Sequence, residues 1–344
     1  VRLIMDFRPS DDQRALRAGM RDVLTSCFPP ERLREVLDGG GVEGAATREL
    51  WRELGDAGLF SLRLPEEEGG VGLGLTEAVF VFEEAGRALV PGPLVETYLA
   101  AGLVPGAAEG TAVVTALDRP GVVGHLAAAD AVLLFDGPVV RLLDAAGGAG
   151  PGKLEARPVR SVDPLTPLHH VLRLPRIPSL APTVTADALR LTREAVLLTA
   201  AQQLGSSART LEMAVSHAKS RTQFGRPIGA FQAVQHICAQ MLVRTELARS
   251  SVYAASLTIT ASEVSGAKIL ADEAAVRNAR DCLQLHGGLG FSWDAEVHPH
   301  VKRAWWRVQQ WQPVADAEEE LAAALLRRAE NCSSEIANFP ERAV

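Results

Sequence analysis

The chain has 344 residues, a formal net charge of −7 and a hydrophobic fraction of 47%. That length suits two or three packed units, and because only 5% of residues are aromatic, their cores must rely on Leu, Val and Ala. There is no basic stripe of the kind that marks a nucleic-acid binder, nor an uncharged apolar run of roughly 18 residues that would span a membrane. A soluble, cytoplasmic protein is therefore expected. Cys27, Cys238, Cys282 and Cys332 are widely separated. They fit reduced thiols better than a disulfide scaffold, and no metal site is expected.

Residues 1–104 read as short helices. Ser10 or Asp11 can cap a helix that carries Leu16, Met20, Val23 and Leu24 on one face. Pro29-Pro30 stops it and starts another, and Gly39-Gly40-Gly41 marks a loop. A helix from Thr47 has Leu50, Trp51, Leu54 and Ala57 as its inner stripe, with Gly58 as C-cap. Pro65 to Gly74 is a glycine-rich loop without a dinucleotide fingerprint. A further helix starts near Thr76 and ends at Pro91 and Pro93.

Residues 105–183 change texture. Nine glycines fall in residues 106–152 against three in 185–262, so long helices give way to turns. Thr111–Leu117, Ala131–Phe135, Val139–Leu143 and Val171–Leu174 read as strands of a small, mostly antiparallel unit. Pro175-Arg176-Ile177-Pro178 leads out of it.

Residues 184–344 form a helical bundle and tail. Residues 187–219 lack proline and suit one helix about 45 Å long, which needs neighbours to bury its face. Further helices are expected over 230–262 and 263–285, and a fourth over 299–328 with an interruption at Pro313. The count implies a four-helix bundle. Trp305 and Trp306 cannot face the same way on a helix, and Glu318-Glu319-Glu320 reads as a solvated face.

Two polar turns interrupt the bundle: Arg221-Thr222-Gln223-Phe224-Gly225-Arg226-Pro227-Ile228 followed by Phe231-Gln232, and Gln284-Leu285-His286-Gly287-Gly288-Leu289-Gly290-Phe291. A guanidinium can neutralise a phosphate, and paired glycines let backbone approach a ligand closely. The same residues also serve as ordinary interhelical caps, so chemistry alone leaves both readings open.

These turns closely resemble the R-x-Q-F-G-x-P-I-x-x-F-Q and Q-x-x-G-G-x-G-F segments of acyl-CoA dehydrogenases, in the same order and at similar separation. The resemblance extends to Pro65–Gly74 and Val81-Phe82-Glu83-Glu84. It implies an N-terminal α-helical domain, a small central β-domain and a C-terminal four-helix bundle. The implied activity is FAD-dependent α,β-dehydrogenation of an acyl-CoA thioester, alone or as one subunit of a heteromer. Arg221, Gln223 and Phe224 would reach the FAD of a neighbouring subunit, Ile228 and Phe231 would line its nucleotide portion, and Gln284, Gly287 and Gly288 would approach the adenosine–pyrophosphate portion. The implied assembly is a homo- or hetero-oligomer, a tetramer built from dimers, that passes electrons to an electron-transfer flavoprotein.

The chain departs from the family pattern in two places. Counting from the Gln284 motif puts the usual catalytic Glu near Trp311, and counting back from Arg221 puts the alternative site at Ala195. Glu194 is one residue away, rotated by about 100° on a helix, and is either a candidate base or a solvated residue near Arg190 or Arg193. The family's T-E-P-x-A-G-S-D-like flavin contact is only faintly matched by Thr115-Ala116-Leu117-Asp118-Arg119-Pro120-Gly121. Base-lacking chains of this kind occur in heteromeric family members, especially actinobacterial ones acting on bulky thioesters. The alternative is a non-catalytic, acyl-CoA dehydrogenase-like partner subunit that supplies structural and flavin-boundary contacts.

Overall fold

The computed structural model describes residues 9–39, 45–119, 121–145, 154–174, 183–184 and 187–337. Gly40, Gly41, Pro120 and the Pro175–Pro178 link lie outside them. The chain runs from N-terminal helices through a small sheet region into a helix-rich bundle.

Helix α1 (Asp11–Cys27) begins at a reciprocal capping box between Ser10 and Gln13. Helix α2 (Pro30–Asp38) opens on proline, where no helical N–H is lost. Helix α3 (Ala45–Asp56) buries Leu50, Trp51 and Leu54. Ala57 falls beyond its end and is exposed, and Gly58 turns the chain with φ +77°. Helix α4 (Leu75–Arg87) stops short of the expected prolines, because Leu89 has already entered the left-handed region at φ 55°. The following helix, α5 (Leu94–Ala100), was not anticipated. Its seven residues are too few to display a period.

The central region forms two sheets. Strands β1 (Val114–Leu117), β3 (Ala131–Asp136), β4 (Val139–Asp144) and β7 (Thr183–Val184) lie in that order, with β1–β3 parallel and the rest antiparallel. Strands β2 (Val122–Gly124), β6 (Leu168–Arg173) and β5 (Glu155–Val159) form the antiparallel second sheet.

The bundle contains α6 (Ala188–Ser220), α7 (Gln232–Thr258), α8 (Ala261–His286), α9 (Val297–Arg307) and α10 (Val314–Ala337). The second helix ends earlier than expected. Ile259 is left-handed, and the Thr260 hydroxyl accepts from the Glu263 N–H to restart the chain as α8. Residues 308–313 separate α9 from α10, so the interruption at Pro313 makes two helices.

Helix α6 is buried on every side from Glu194 to Ala208. Helix α4 crosses it through two glycines. A Cβ on Gly205 would lie 1.8 Å from the Glu83 carbonyl oxygen, and one on Gly86 would lie 2.1 Å from that of Gln202. Beside this crossing, the carboxylates of Glu83 and Glu84 are buried. Arg17 donates to both, Arg21 to Glu84, Arg249 to Glu83, and the Tyr253 hydroxyl to Glu83 at 2.6 Å. Burying two carboxylates is tolerable only with such compensation, which ties α1, α4 and α7 together.

Polar pairs also run through the bundle interior. Asn278 donates to Ser207 and Thr245, Gln203 to Asp272, and Lys268 to Asp272. Ser206 meets His300 Nδ1 at 2.7 Å. Burial, reinforced by nearby arginines, holds His300 down at about 3.

Two outcomes follow. Gly205→Ala is expected to destabilise the chain by about 3 kcal/mol, as overpacking against backbone does. Gly266→Ala on α8, where a Cβ meets nothing within 4 Å, is expected to be neutral or stabilising. Denaturant titration of both variants measures the contrast. His300 stays neutral in the fold to about 3 but titrates near 6.5 when unfolded. The unfolded state thus binds the extra proton below pH 6.5, and this group's contribution to stability is lost as pH falls through that window. His300→Gln is expected to flatten the fall in Tm below pH 6.5 relative to wild type, by up to about 1.4 kcal/mol per pH unit.

Candidate functional site

At one end of the bundle, strands β8 (Thr222–Gln223) and β9 (Arg226–Pro227) make a two-residue hairpin. Both turn residues are left-handed, Phe224 at φ 53° and Gly225 at φ 77°, as a type I′ turn requires. Glycine accepts this readily; phenylalanine is strained there. The Phe224 side chain is nevertheless 92% exposed, touching only the edge of Phe231 at a centroid distance of 6.1 Å. Arg226 stacks its guanidinium over Phe231 at 4.2 Å. The Ile228 N–H closes the hairpin onto the Arg221 carbonyl at 2.8 Å. Arg221 is exposed and makes no side-chain hydrogen bond or ion pair among the described residues.

The second polar turn packs against the last turns of α6, the helix that leads into the first. His217, four residues before Arg221, stacks on His286 with centroids 4.0 Å apart. His286 Nδ1 lies 2.8 Å from the Cys282 carbonyl, so this nitrogen carries a proton and donates. Burial, with His286 and Arg221 close by, lowers the pKa of His217. Gly287 adopts φ 60°, ψ −143°, a conformation open to glycine alone. A Cβ on Gly287 or Gly288 would meet nothing, so the space in front of this backbone is open. Gln284, Gly287 and Gly288 are exposed, and Ile228 and Phe231 are partly covered.

A cavity of about 420 Å³ lies where the three parts of the chain meet. Glu96 on α5, Thr115 and Ala116 on β1, Asp118 and Arg119 after it, Trp306 and Arg307 at the end of α9, and Trp311 beyond it contribute to its wall. Trp311 is left-handed at φ 60° and packs edge-on against Phe135 at 5.1 Å. Arg119 donates to the Trp311 carbonyl and to Asp316. Glu194 points elsewhere. It is 4% exposed, accepting from Arg63 at 3.0 Å and Arg190 at 2.9 Å. It is therefore not a solvated residue: its Oε2 ties α6 to α5 through Arg63, which also donates to the Leu99 carbonyl at 2.7 Å, while its Oε1 accepts from Arg190 on α6 itself. Ala195 is fully buried. Among the described residues, no cluster of His, Cys, Asp and Glu could hold a metal ion, and no helix is long and apolar enough to cross a membrane. Cys27, Cys238 and Cys282 are free thiols, of which only Cys282 is buried.

Comparison with known proteins decides the family. Residues 10–111 match the acyl-CoA dehydrogenase N-terminal domain and residues 185–311 the acyl-CoA dehydrogenase C-terminal domain. The chain is 32% identical over 298 residues to the acyl-CoA dehydrogenase IpdE2 of Mycobacterium tuberculosis, covering 86% of this chain and 92% of that protein. It is 33% identical over 305 residues to IpdE2 of Mycolicibacterium smegmatis, covering 86% and 93%. The chain belongs to the acyl-CoA dehydrogenase family. A chain of the solved ChsE4–ChsE5 complex from M. tuberculosis superposes with a TM-score of 0.79 at 26% identity, over 98% of this chain and 100% of that one. A chain of the Tcur3481–Tcur3483 steroid acyl-CoA dehydrogenase gives 0.78 at 26%, over 93% and 99%.

For an acyl-CoA dehydrogenase, the two departures in sequence fall in one place. The altered segment Thr115–Arg119 and Trp311 wall the same cavity, joined by the Arg119 hydrogen bond. The matched domains leave residues 112–184 between them, which is where that segment lies. Motif reading did not single out Arg226, His217, Glu96, Arg303 or Arg307. The i,i+4 spacing of Arg303 and Arg307 was visible, but their burial was not. Trp306 turns into the cavity while Trp305 is 41% exposed beside Arg280, as expected of neighbours on a helix.

Phe224→Asn keeps the left-handed turn with a residue that tolerates it. It is expected to raise the stability of the chain by about 1 kcal/mol, read by denaturant unfolding.

Proposed function

We propose that this chain is one subunit of an FAD-dependent acyl-CoA dehydrogenase in which a partner subunit supplies the catalytic base. The observation that carries the reading is the His217–His286 stack. It sets the Arg221 hairpin beside the Gly287–Gly288 backbone, all of it facing outward. These features fit a nucleotide: an unpaired guanidinium, an exposed aromatic ring and open backbone without a Cβ. Arg221, Gln223 and Phe224 would hold the FAD of a neighbouring subunit, with Ile228 and Phe231 beside the nucleotide and Gln284, Gly287 and Gly288 at the pyrophosphate. Held there, FAD would supply the hydride acceptor for dehydrogenation of the thioester. The domains are assigned as 1–104, 105–183 and 184–344.

Neither position at which the family pattern puts the base offers one in this chain. Trp311 carries no base, and both oxygens of Glu194 are engaged by arginines. The role left to this chain is to bind and orient. Two of the similar structures are two-component assemblies, one named as a steroid acyl-CoA dehydrogenase; this supports a heteromer acting on a bulky acyl-CoA. The electron acceptor in this reading is an electron-transfer flavoprotein. A second reading, favoured by the filling of position 311 with Trp, is a non-catalytic partner subunit.

Purification alone and with the products of neighbouring genes, scored as flavin per chain, tests the proposal. Flavin is expected in the mixed assembly, bleached by an acyl-CoA. Arg221→Met and Phe224→Asn are each expected to lower flavin retention roughly tenfold or more without loss of fold. Absence of flavin from every assembly overturns the first reading and leaves the second.

A further inference from the structure

Among the described residues, a buried guanidinium in the wall of the cavity between α5, β1 and α9 has no carboxylate of its own. Arg303 and Arg307 are one helical turn apart on α9, 3% and 2% exposed, and both line it. Arg303 donates Nε to Asp163 and Nη1 to the Val90 carbonyl at 3.2 Å, but its Nη2 is buried without a hydrogen-bond partner. Arg307 has no carboxylate within ion-pairing distance among the described residues. Its hydrogen bond is a long one of 3.4 Å to the Gln202 carbonyl. A buried guanidinium left this way is costly unless an anion reaches it.

The charges that face the cavity can be paired off. Asp163 answers Arg303; Asp118 at 3.4 Å and, outside the wall, Asp316 at 3.2 Å both answer Arg119; behind Arg307, the buried Asp272 is answered by Lys268. His125 is held neutral by burial, down at about 3. Glu96 remains opposite Arg307, with Asp118 as its other charged neighbour. Burial, aided by Asp118, pushes the Glu96 carboxyl up to about 7, so near neutrality Glu96 carries its proton for much of the time. Arg307 is then left with no carboxylate of its own among the described residues, and Arg303 one turn away has an unused buried N–H. Leu94, Val95 and the two indoles of Trp306 and Trp311 give the wall an apolar side, next to Thr115, Thr166, Gln202, Gln309 and Gln310.

We propose that this cavity binds the carboxylate of an organic acid with an apolar body, held by Arg307 and Arg303 Nη2. A single guanidinium without a carboxylate of its own matches a monoanion better than a phosphate dianion, and a planar carboxylate suits a guanidinium edge. The volume is within the range of small-molecule sites. Protonated Glu96 donates to the ligand, whereas ionised Glu96 competes with it for Arg307, so binding takes up a proton and tightens as pH falls through 7. The carboxylate belongs either to a free acid or to the far end of a carboxyl-tipped acyl thioester. The proposal depends on this chain alone, not on flavin at the bundle corner.

Calorimetry on the full chain, alone and in its purified assembly, with hexanoate and its uncharged match hexanamide tests it. Hexanoate is expected to bind at least roughly tenfold more tightly than hexanamide, and to quench indole fluorescence from Trp306 and Trp311. Arg307→Met is expected to remove that preference, and the isosteric Glu96→Gln to make hexanoate affinity independent of pH between 6 and 8. Adipoyl-CoA displacing hexanoate at concentrations where hexanoyl-CoA does not assigns the carboxylate to a thioester tip; no displacement by adipoyl-CoA assigns it to a free acid. Equal binding of hexanoate and hexanamide, no binding of hexanoate to the folded chain, or an unchanged pH profile in Glu96→Gln overturns the proposal. Flavin content, measured on the same samples, reports separately on the corner.

Discussion

Arg303 holds the molecule's three parts at one point. Its guanidinium leaves α9, meets the buried carboxylate of Asp163 in the sheet region, and reaches the carbonyl of Val90 just beyond α4. Asp163 is itself held by the Thr166 hydroxyl at 2.7 Å and the Leu165 N–H at 3.0 Å. A small sheet region with a modest core of its own is thereby tied to two helical bodies by a buried charge-assisted junction. The walls of the cavity depend on that junction, because each body contributes one side of it.

The glycine crossing of α4 and α6 works alongside it. By letting two backbones touch, Gly86 and Gly205 bring the N-terminal helices close enough for α5 to lie against the centre of the bundle. The Glu83–Glu84 cluster then makes the approach specific, since five hydrogen-bonding side-chain partnerships from α1 and α7 converge on two adjacent carboxylates. Apolar packing alone would permit sliding. Fixed charges in a dry interior do not.

Much of this was legible in the residues. The long proline-free stretch before Arg221 becomes α6, and the capping box at Ser10 starts α1 as written. Features set by tertiary packing were less visible. Strands β2, β5 and β7 are short or lie beside turn formers, and α5 is too brief for a period to emerge. Glu194 looked like a surface helix residue because its partner Arg63 is 131 positions away. The two polar turns stood out by composition, yet only the fold reveals that His217 and His286 stack them side by side. The unanswered arginine in the cavity had no linear signature, since it depends on which of many arginines are buried and which carboxylates reach them.

The bond from Arg119 to the Trp311 carbonyl also bears on the missing base. Placing a carboxylate at position 311 by a single substitution would leave the Arg119 guanidinium anchored at the same backbone, the turn at 311 still left-handed and the segment before it unchanged. A carboxylate there would meet a guanidinium from a distant part of the sequence, so the two departures from the family pattern are physically coupled and a change at one is felt at the other.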